Sequence, residues 1–365
     1  MLTGAQIASR ISPDSRFADL SGSFELENGD VLDGVSLAYR TWGQLAEHGR
    51  NAVLICHALT GSADADDWWP GLIGAGSALD PNEDFVICSN VIGSCYGSTG
   101  PLSLSADGTR HGGAFPQVSI RDMVRAQYAL LEQLGVKRLR LVIGPSLGGM
   151  QTLEWAAMYP DFVDAIVPIG VSGRHSAWCI ATSEAQRQAI FADPDWRDGF
   201  YTADRPPRRG LAAARIMAMV SYRSWQNFES RFGRERQDDA ATDVFQVQSY
   251  LRHQGSKINQ RFDAVSYVRL TEAMDTHDLA RGRGEYGDVL RQITQPALIM
   301  AVASDILYPP HEQRLLADHL PGAEYTELDS EHGHDGFLIE TAALSAAVRG
   351  WRAGLSPAGG VAALP

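Results

Sequence analysis

The chain has 365 residues, 44% of them hydrophobic and 21% charged, which suits one large globular domain, or two smaller ones, with a sizeable core. A formal net charge of −13 argues against sequence-independent nucleic-acid binding, which needs a basic face. No apolar run reaches the ~18 residues of a membrane span, and the N-terminal stretch MLTGAQIASRISPDSRF lacks the apolar core of a secretory signal, so a cytoplasmic protein is expected.

In chain order, VSLAYRTWG (35–43) predicts a strand. NAVLICHAL (51–59) and DFVICSNVIG (84–93) are short dense apolar runs, the mark of strands buried on both faces. SIRDMVRAQYALLEQLGV (119–136) has helical periodicity, with Ser119 as N-cap and Gly135 as the stop. RLRLVIG (138–144) is the next strand, GGMQTLEWAAMYP (148–160) the next helix, and VDAIVPIGVSG (163–173) another strand. From about 174 to 285 the chain turns helical and polar, and PALIMAVAS (296–304) restores the strand pattern before a final helix, ETAALSAAVRGWRAG. Alternating strands and helices predict a mostly parallel sheet covered on both faces. The expected division is a core of 1–173 and 286–352, a helical insertion of 174–285, and a frayed tail of 353–365. Cys56, Cys88, Cys95 and Cys179 form no CxxC pair and no zinc spacing, so reduced buried thiols and no metal site are expected.

Between the strand 138–144 and the helix that follows lies Gly144-Pro145-Ser146-Leu147-Gly148, a G-x-S-x-G motif in strand–turn–helix context. That context is the nucleophile elbow, in which a sharp turn lifts a serine hydroxyl above the sheet. A serine hydroxyl is a weak nucleophile and needs a base oriented by an acid, and the elbow order is serine, acid, histidine. Asp305 ends the late strand PALIMAVAS and takes the acid position. His332 and His334 both lie in the following loop; His334, in Gly333-His334-Asp335 before a helix, is preferred. The Leu147 amide at the helix N-terminus is one natural oxyanion donor. The loop after the strand in LICHALTG supplies the other, from Leu59 or its neighbour Ala58. His57 comes too early in the chain for the catalytic histidine and is read as structural.

Together these motifs resemble the homoserine O-acetyltransferase family of methionine biosynthesis, a branch of the α/β-hydrolase superfamily with a helical lid. The resemblance spans about residues 16–351. It rests on NAVLICHALTG, NVIGSCYGSTGP, GPSLGGMQTLEWA, RRGLAAARIMAMVSYRS, FDAVSYVRLTEAMD, SDILYPP and GHDGFL. It implies an α/β-hydrolase fold with Ser146, Asp305 and His334 as nucleophile, acid and base, and Leu59 and Leu147 as oxyanion donors. It further implies that Arg215, Tyr222 and Asp335 bind the amino acid: Arg215 grips the carboxylate and Asp335 the α-ammonium. The implied reaction transfers the acetyl group of acetyl-CoA to the γ-hydroxyl of L-homoserine through an acyl-serine. No cofactor stays bound, and a homodimer through the lid helices is implied. Four positions depart from the family's usual pattern: in the elbow Pro145 and Leu147 replace a glycine and a methionine, Val265 stands where asparagine is expected and Met219 where histidine is common. Succinyl-CoA as donor, L-serine as acceptor, or water as acceptor in an esterase are the competing readings.

Overall fold

The computed structural model describes residues 11–105, 108–237 and 243–355. Its centre is an eight-stranded sheet in the order β1-β4-β6-β5-β7-β8-β9-β10. Strands β1 (Arg16–Asp19) and β4 (Ser36–Trp42) are antiparallel, and β4 pairs antiparallel with β6 (Phe85–Ser89). From β6 onward every pairing is parallel: β5 (Ala52–Ile55), β7 (Leu139–Pro145), β8 (Ile166–Ile169), β9 (Ala297–Val302) and β10 (Ala323–Leu328). A separate hairpin joins β2 (Ser23–Glu25) to β3 (Val31–Asp33).

The dense apolar runs are central strands. Along β5 and its flank, Ala52, Leu54 and Cys56 enter one hydrophobic cluster while Val53 and Ile55 enter another, so alternate side chains feed both faces. One face is covered by α2 (Ile120–Gln133) and α3 (Leu147–Met158), through Met123, Leu130, Met150 and Trp155. The other is covered by α1 (Ala65–Trp68) and α12 (Thr341–Gly354), through Ala65, Leu344 and Val348. Ser119 caps α2 in a reciprocal capping box with Asp122, and Gly135, at φ 82°, ends it as expected.

Helices α4 (Ala177–Phe191), α5 (Arg208–Tyr222), α6 (Trp225–Phe232), α7 (Gln246–Arg261) and α8 (Ala264–Asp275) form the insertion after β8. Its two ends are stitched together at the core: the Leu279 N–H donates to Gly173 O (2.9 Å) and the His175 N–H to His277 O (2.9 Å), beside an Arg174–Asp278 ion pair. Within it, α5 and α7 approach so closely that a Cβ on Gly255 would lie 2.8 Å from Ala212 O. The insertion is thus closed at its base, and further contacts along its length tie it to the core, among them Arg269 Nε to Phe115 O (2.8 Å) and Cys179 Sγ to Leu307 O (3.2 Å). Helices α9 (Tyr286–Arg291), α10 (Pro310–His319), α11 (Gly336–Ile339) and α12 return the chain to the core. Helix α12 runs to Gly354, into the start of the expected tail; residues 356–365 lie outside the described residues. Among the described residues, no helix is long and apolar enough to cross a membrane.

Candidate active site

Ser146 sits between β7 and α3 with φ 56° and ψ −122°, a conformation that costs energy for any residue with a Cβ. The surroundings hold it there. The Ser146 N–H donates to Ile169 O (2.9 Å) and the Met150 N–H to Ser146 O (3.1 Å). The flanking glycines are steric requirements: a Cβ on Gly148 would lie 2.0 Å from Cys56 O, and one on Gly144 2.5 Å from Gly148 O. The elbow is pressed directly against the end of β5, which brings Ser146 beside the loop that follows that strand.

Asp305 follows β9, and His334 lies in a short turn (Gly333–Asp335) after β10. The His334 Nδ1 to Asp305 Oδ2 distance is 2.6 Å, and both side chains are almost fully buried. Asp305 Oδ1 accepts the backbone N–H groups of Leu307 (2.8 Å) and Tyr308 (2.9 Å). An ionised carboxylate is acceptor-only, so Nδ1 carries the proton and Nε2 keeps its lone pair. Nε2 is buried and has no hydrogen-bond partner among the described residues. The rings of Tyr308 and Phe337 flank the imidazole at 5.2 and 5.1 Å. His332 points elsewhere: its Nδ1 meets Asn227 Nδ2 at 2.9 Å, and its Nε2 lies 4.0 Å from Glu340.

The loop after β5 is shaped by His57. The Val91 N–H donates to His57 Nε2 (3.1 Å), which leaves Nδ1 to donate to Ala58 O (2.8 Å). The Gly61 N–H donates to the same carbonyl (2.9 Å). Because a trans peptide aims its C=O and N–H in opposite directions, anchoring Ala58 O turns the Leu59 N–H the other way. Among the described residues, neither the Leu59 nor the Leu147 N–H meets a protein acceptor. Burial pushes the His57 pKa down to about 4, so the ring is neutral near pH 7. Its folded pKa lies below the unfolded value of about 6.5. The stabilisation is therefore complete above pH 6.5 and is lost as pH falls toward 4, while the unfolded chain takes up the proton first. Stability should drop between pH 6.5 and 4.5, with roughly 2–3 kcal/mol of the loss due to His57. Denaturant unfolding across that interval, compared with His57→Gln, checks it: equal losses in both proteins would refute the assignment.

Arg215 and Tyr222 share one face of α5, about two helical turns apart, and the guanidinium lies over the Tyr222 ring at 5.4 Å. Among the described residues Arg215 has no carboxylate partner. Asp335 pairs with Arg223 (Oδ2 to Nε, 3.2 Å). Arg223 did not emerge from the sequence: it lies just past the end of α5, where helical periodicity no longer indicates direction. The contact is set by Gly333 at φ 64°, where a Cβ would lie 2.7 Å from Ser224 N, so the histidine loop abuts the end of α5. Ser146, Leu59, Arg215, Tyr222, His334 and Asp335 all line one cavity of about 650 Å³, with Lys257 and Arg261 of α7 at its wall. Met219 and Val265 do not line it. Met219 is buried in the lid, and the Val265 N–H donates to Tyr201 Oη (3.1 Å). The cavity lies at the carboxyl ends of the strands, where α/β sheets place their ligands. Among the described residues, no group of three or more His, Cys, Asp or Glu side chains is set to hold a metal ion.

Residues 51–341 match the family model described as alpha/beta hydrolase fold. A homoserine O-acetyltransferase of Trichormus variabilis is 59% identical over 95% of this chain and 96% of its own. Among solved structures, the homoserine O-acetyltransferase of Bacillus anthracis superposes with a TM-score of 0.86 at 25% identity, covering 93% of this chain and 97% of that one. The esterase E22 superposes with a TM-score of 0.85 at 26% identity, covering 93% and 99%.

Proposed function

This chain belongs to the homoserine O-acetyltransferase family of the α/β-hydrolase fold, and on that premise we propose that it moves an acetyl group from acetyl-CoA to the γ-hydroxyl of L-homoserine by way of an acetylated Ser146. His334 Nε2 takes the Ser146 proton as the oxygen attacks the thioester carbonyl. The Leu59 and Leu147 amides receive the charge that develops on the carbonyl oxygen. The tetrahedral adduct collapses, the C–S bond breaks, and the His334 imidazolium returns the proton to the CoA thiolate. L-Homoserine then enters, its γ-hydroxyl loses a proton to His334, and the new C–O bond forms as Ser146 leaves and is reprotonated. Asp305 fixes the imidazole tautomer throughout and stabilises its charged form.

The observation that carries the acceptor assignment is Arg215. A guanidinium that shares the cavity with Ser146 and His334, and has no carboxylate of its own, suits the α-carboxylate of an amino acid by a bidentate pair. Arg223 holds one oxygen of Asp335, leaving the other for the α-ammonium; Tyr222, under Arg215, completes the grip. The lid, tied to the core on several sides of the cavity, limits the access of water to the acyl-serine. Exposed Val220 and Trp225 on the lid, 51% and 71% accessible, are apolar surface that a homodimer through these helices would cover.

A second reading, hydrolysis of the acyl-serine by water, is favoured by the close superposition on an esterase. Purified protein given acetyl-CoA or succinyl-CoA, with L-homoserine, L-serine or no amino acid, distinguishes them by CoA release. Release that depends on acetyl-CoA and L-homoserine together is expected, and equal release without an amino acid would make the protein a thioesterase. Arg215→Lys keeps the charge and loses the planar fork. It should raise KM for L-homoserine by roughly 10–100-fold while acylation by acetyl-CoA keeps its rate. An unchanged KM would remove Arg215 from the acceptor site.

A further inference from the structure

Arg261 is the last residue of α7, on the lid, yet its hydrogen bonds go to the core. Its Nη1 donates to Thr60 O (2.6 Å) and to Tyr96 Oη (3.0 Å), and its Nη2 donates to Thr60 Oγ1 (3.1 Å). Thr60 directly follows Leu59 and lies inside the turn that the Gly61 N–H closes onto Ala58 O. One planar guanidinium thus holds both the backbone carbonyl and the side chain of a single loop residue, a two-point grip that fixes orientation as well as distance. Tyr96, from the loop after β6, fixes the guanidinium in turn, and its own ring packs edge-on against Phe262 at 5.7 Å. The loop is therefore held from two sides: His57 grips Ala58 O from the core, and Arg261 grips Thr60 from the lid. Neither contact touches a reacting atom.

We infer that Arg261 is a positioning residue for the oxyanion hole, through which the lid holds the 58–61 turn so that the Leu59 N–H faces the cavity. This rests on the proposed acyl-serine chemistry of Ser146 but not on the identity of the acceptor. The physical requirement is strict, because an oxyanion donor acts only when its N–H is aimed beforehand at the position the oxyanion will occupy. Without Arg261 the turn keeps the His57 anchor and loses the lid anchor, so the Leu59 amide samples directions that miss the carbonyl oxygen. The loss falls on every step that passes through a tetrahedral adduct, whichever leaving group departs, and spares ground-state binding.

The test uses two acyl donors, acetyl-CoA and p-nitrophenyl acetate, the second of which carries no CoA to be gripped. Arg261→Ala should lower kcat for acylation by both donors by the same factor, about 10–100-fold, less than complete loss of an oxyanion donor. KM for L-homoserine should stay within about twofold, because ground-state binding is untouched. Arg261→Lys, which can still reach Thr60 O, should recover part of the rate. Added methylguanidine should partly restore Arg261→Ala. Should Arg261→Ala fail to fold, Arg261→Lys and Tyr96→Phe carry the same comparison with smaller expected losses. A raised KM for acetyl-CoA with unchanged turnover of p-nitrophenyl acetate would overturn the inference and make Arg261 a donor-binding residue. Unchanged rates with both donors would overturn it outright. Since p-nitrophenyl acetate reports acylation of Ser146 alone, the strap is tested even if L-homoserine proves not to be the acceptor.

Discussion

Ser146→Ala is expected to reduce the rate of CoA release from acetyl-CoA by about 10⁴-fold or more, both in turnover with L-homoserine and in the single acylation event without it. Alanine keeps the Cβ and hence the same demand for a positive φ, so the elbow should fold as before and the loss should report chemistry alone. Neither of the two buried groups packed against the elbow and its adjoining loop, Cys56 and His57, can substitute. Cys56 lies beneath the elbow, fully buried, and burial drives its thiol far above the usual range, so almost no thiolate exists there. His57 is locked between Val91 N–H and Ala58 O and has no free nitrogen to offer. Stopped-flow detection of released thiol, with mass spectrometry of the protein after acid quench, checks the expectation. The wild-type chain should carry one acetyl group on the peptide containing Ser146 and the variant none. A variant that keeps more than about one-hundredth of the rate would show that another group forms the acyl-enzyme, or that the acceptor attacks acetyl-CoA directly.

Much of this site is legible in the sequence, for identifiable reasons. The strands that carry Ser146, Asp305 and the 58–61 loop are central and buried on both faces, so they read as dense apolar runs; β5 and β9 lie within residues 51–59 and 296–304, and β7 runs one residue past the expected 138–144. The glycines of the elbow are forced by contact with Cys56 O and leave the same trace. Strand β10 was not expected, because it closes the sheet edge and AEYTEL alternates half-exposed residues rather than forming an apolar block. Strands β1 to β3 are three or four residues long and largely exposed, too short for periodicity to register. His334 is preferred over His332 already from its place before a helix; the structure adds the reason the two differ, since the turn at Gly333 directs one to Asp305 and the other to Asn227. The contacts between lid and core were invisible for a related reason. Arg223–Asp335 and Arg261–Thr60 join residues far apart in sequence, and neither arginine stands in a pattern that marks its partner. What the sequence hides is the coupling of lid to core, and that coupling sets both the proposed acceptor site and the 58–61 turn.

Asp305→Asn tests the arrangement proposed to make His334 a base, and it should lower kcat by about 10⁴-fold with little change in unfolding midpoint. The hydrogen bonds around Asp305 decide the outcome. Asp305 Oδ1 accepts two backbone N–H groups, from Leu307 and Tyr308, and Oδ2 faces His334 Nδ1 at 2.6 Å. An asparagine has one oxygen and one NH2. The two backbone donors require the oxygen, since an NH2 there would leave three donors facing one another in a buried site. The NH2 must then face His334, where it can only donate, so Nδ1 becomes the acceptor and the imidazole proton moves to Nε2. A ring protonated at Nε2 cannot take the Ser146 proton, although every heavy atom keeps its place. Nitrogen NMR of the imidazole reports the tautomer, and kcat with acetyl-CoA and with p-nitrophenyl acetate should fall together. Asp335→Asn, one residue past His334, is the control: on the proposed reading it should act mainly on KM for L-homoserine, because its carboxylate pairs with Arg223 rather than with the imidazole. A loss of less than about tenfold for Asp305→Asn would mean that something other than this carboxylate sets the tautomer.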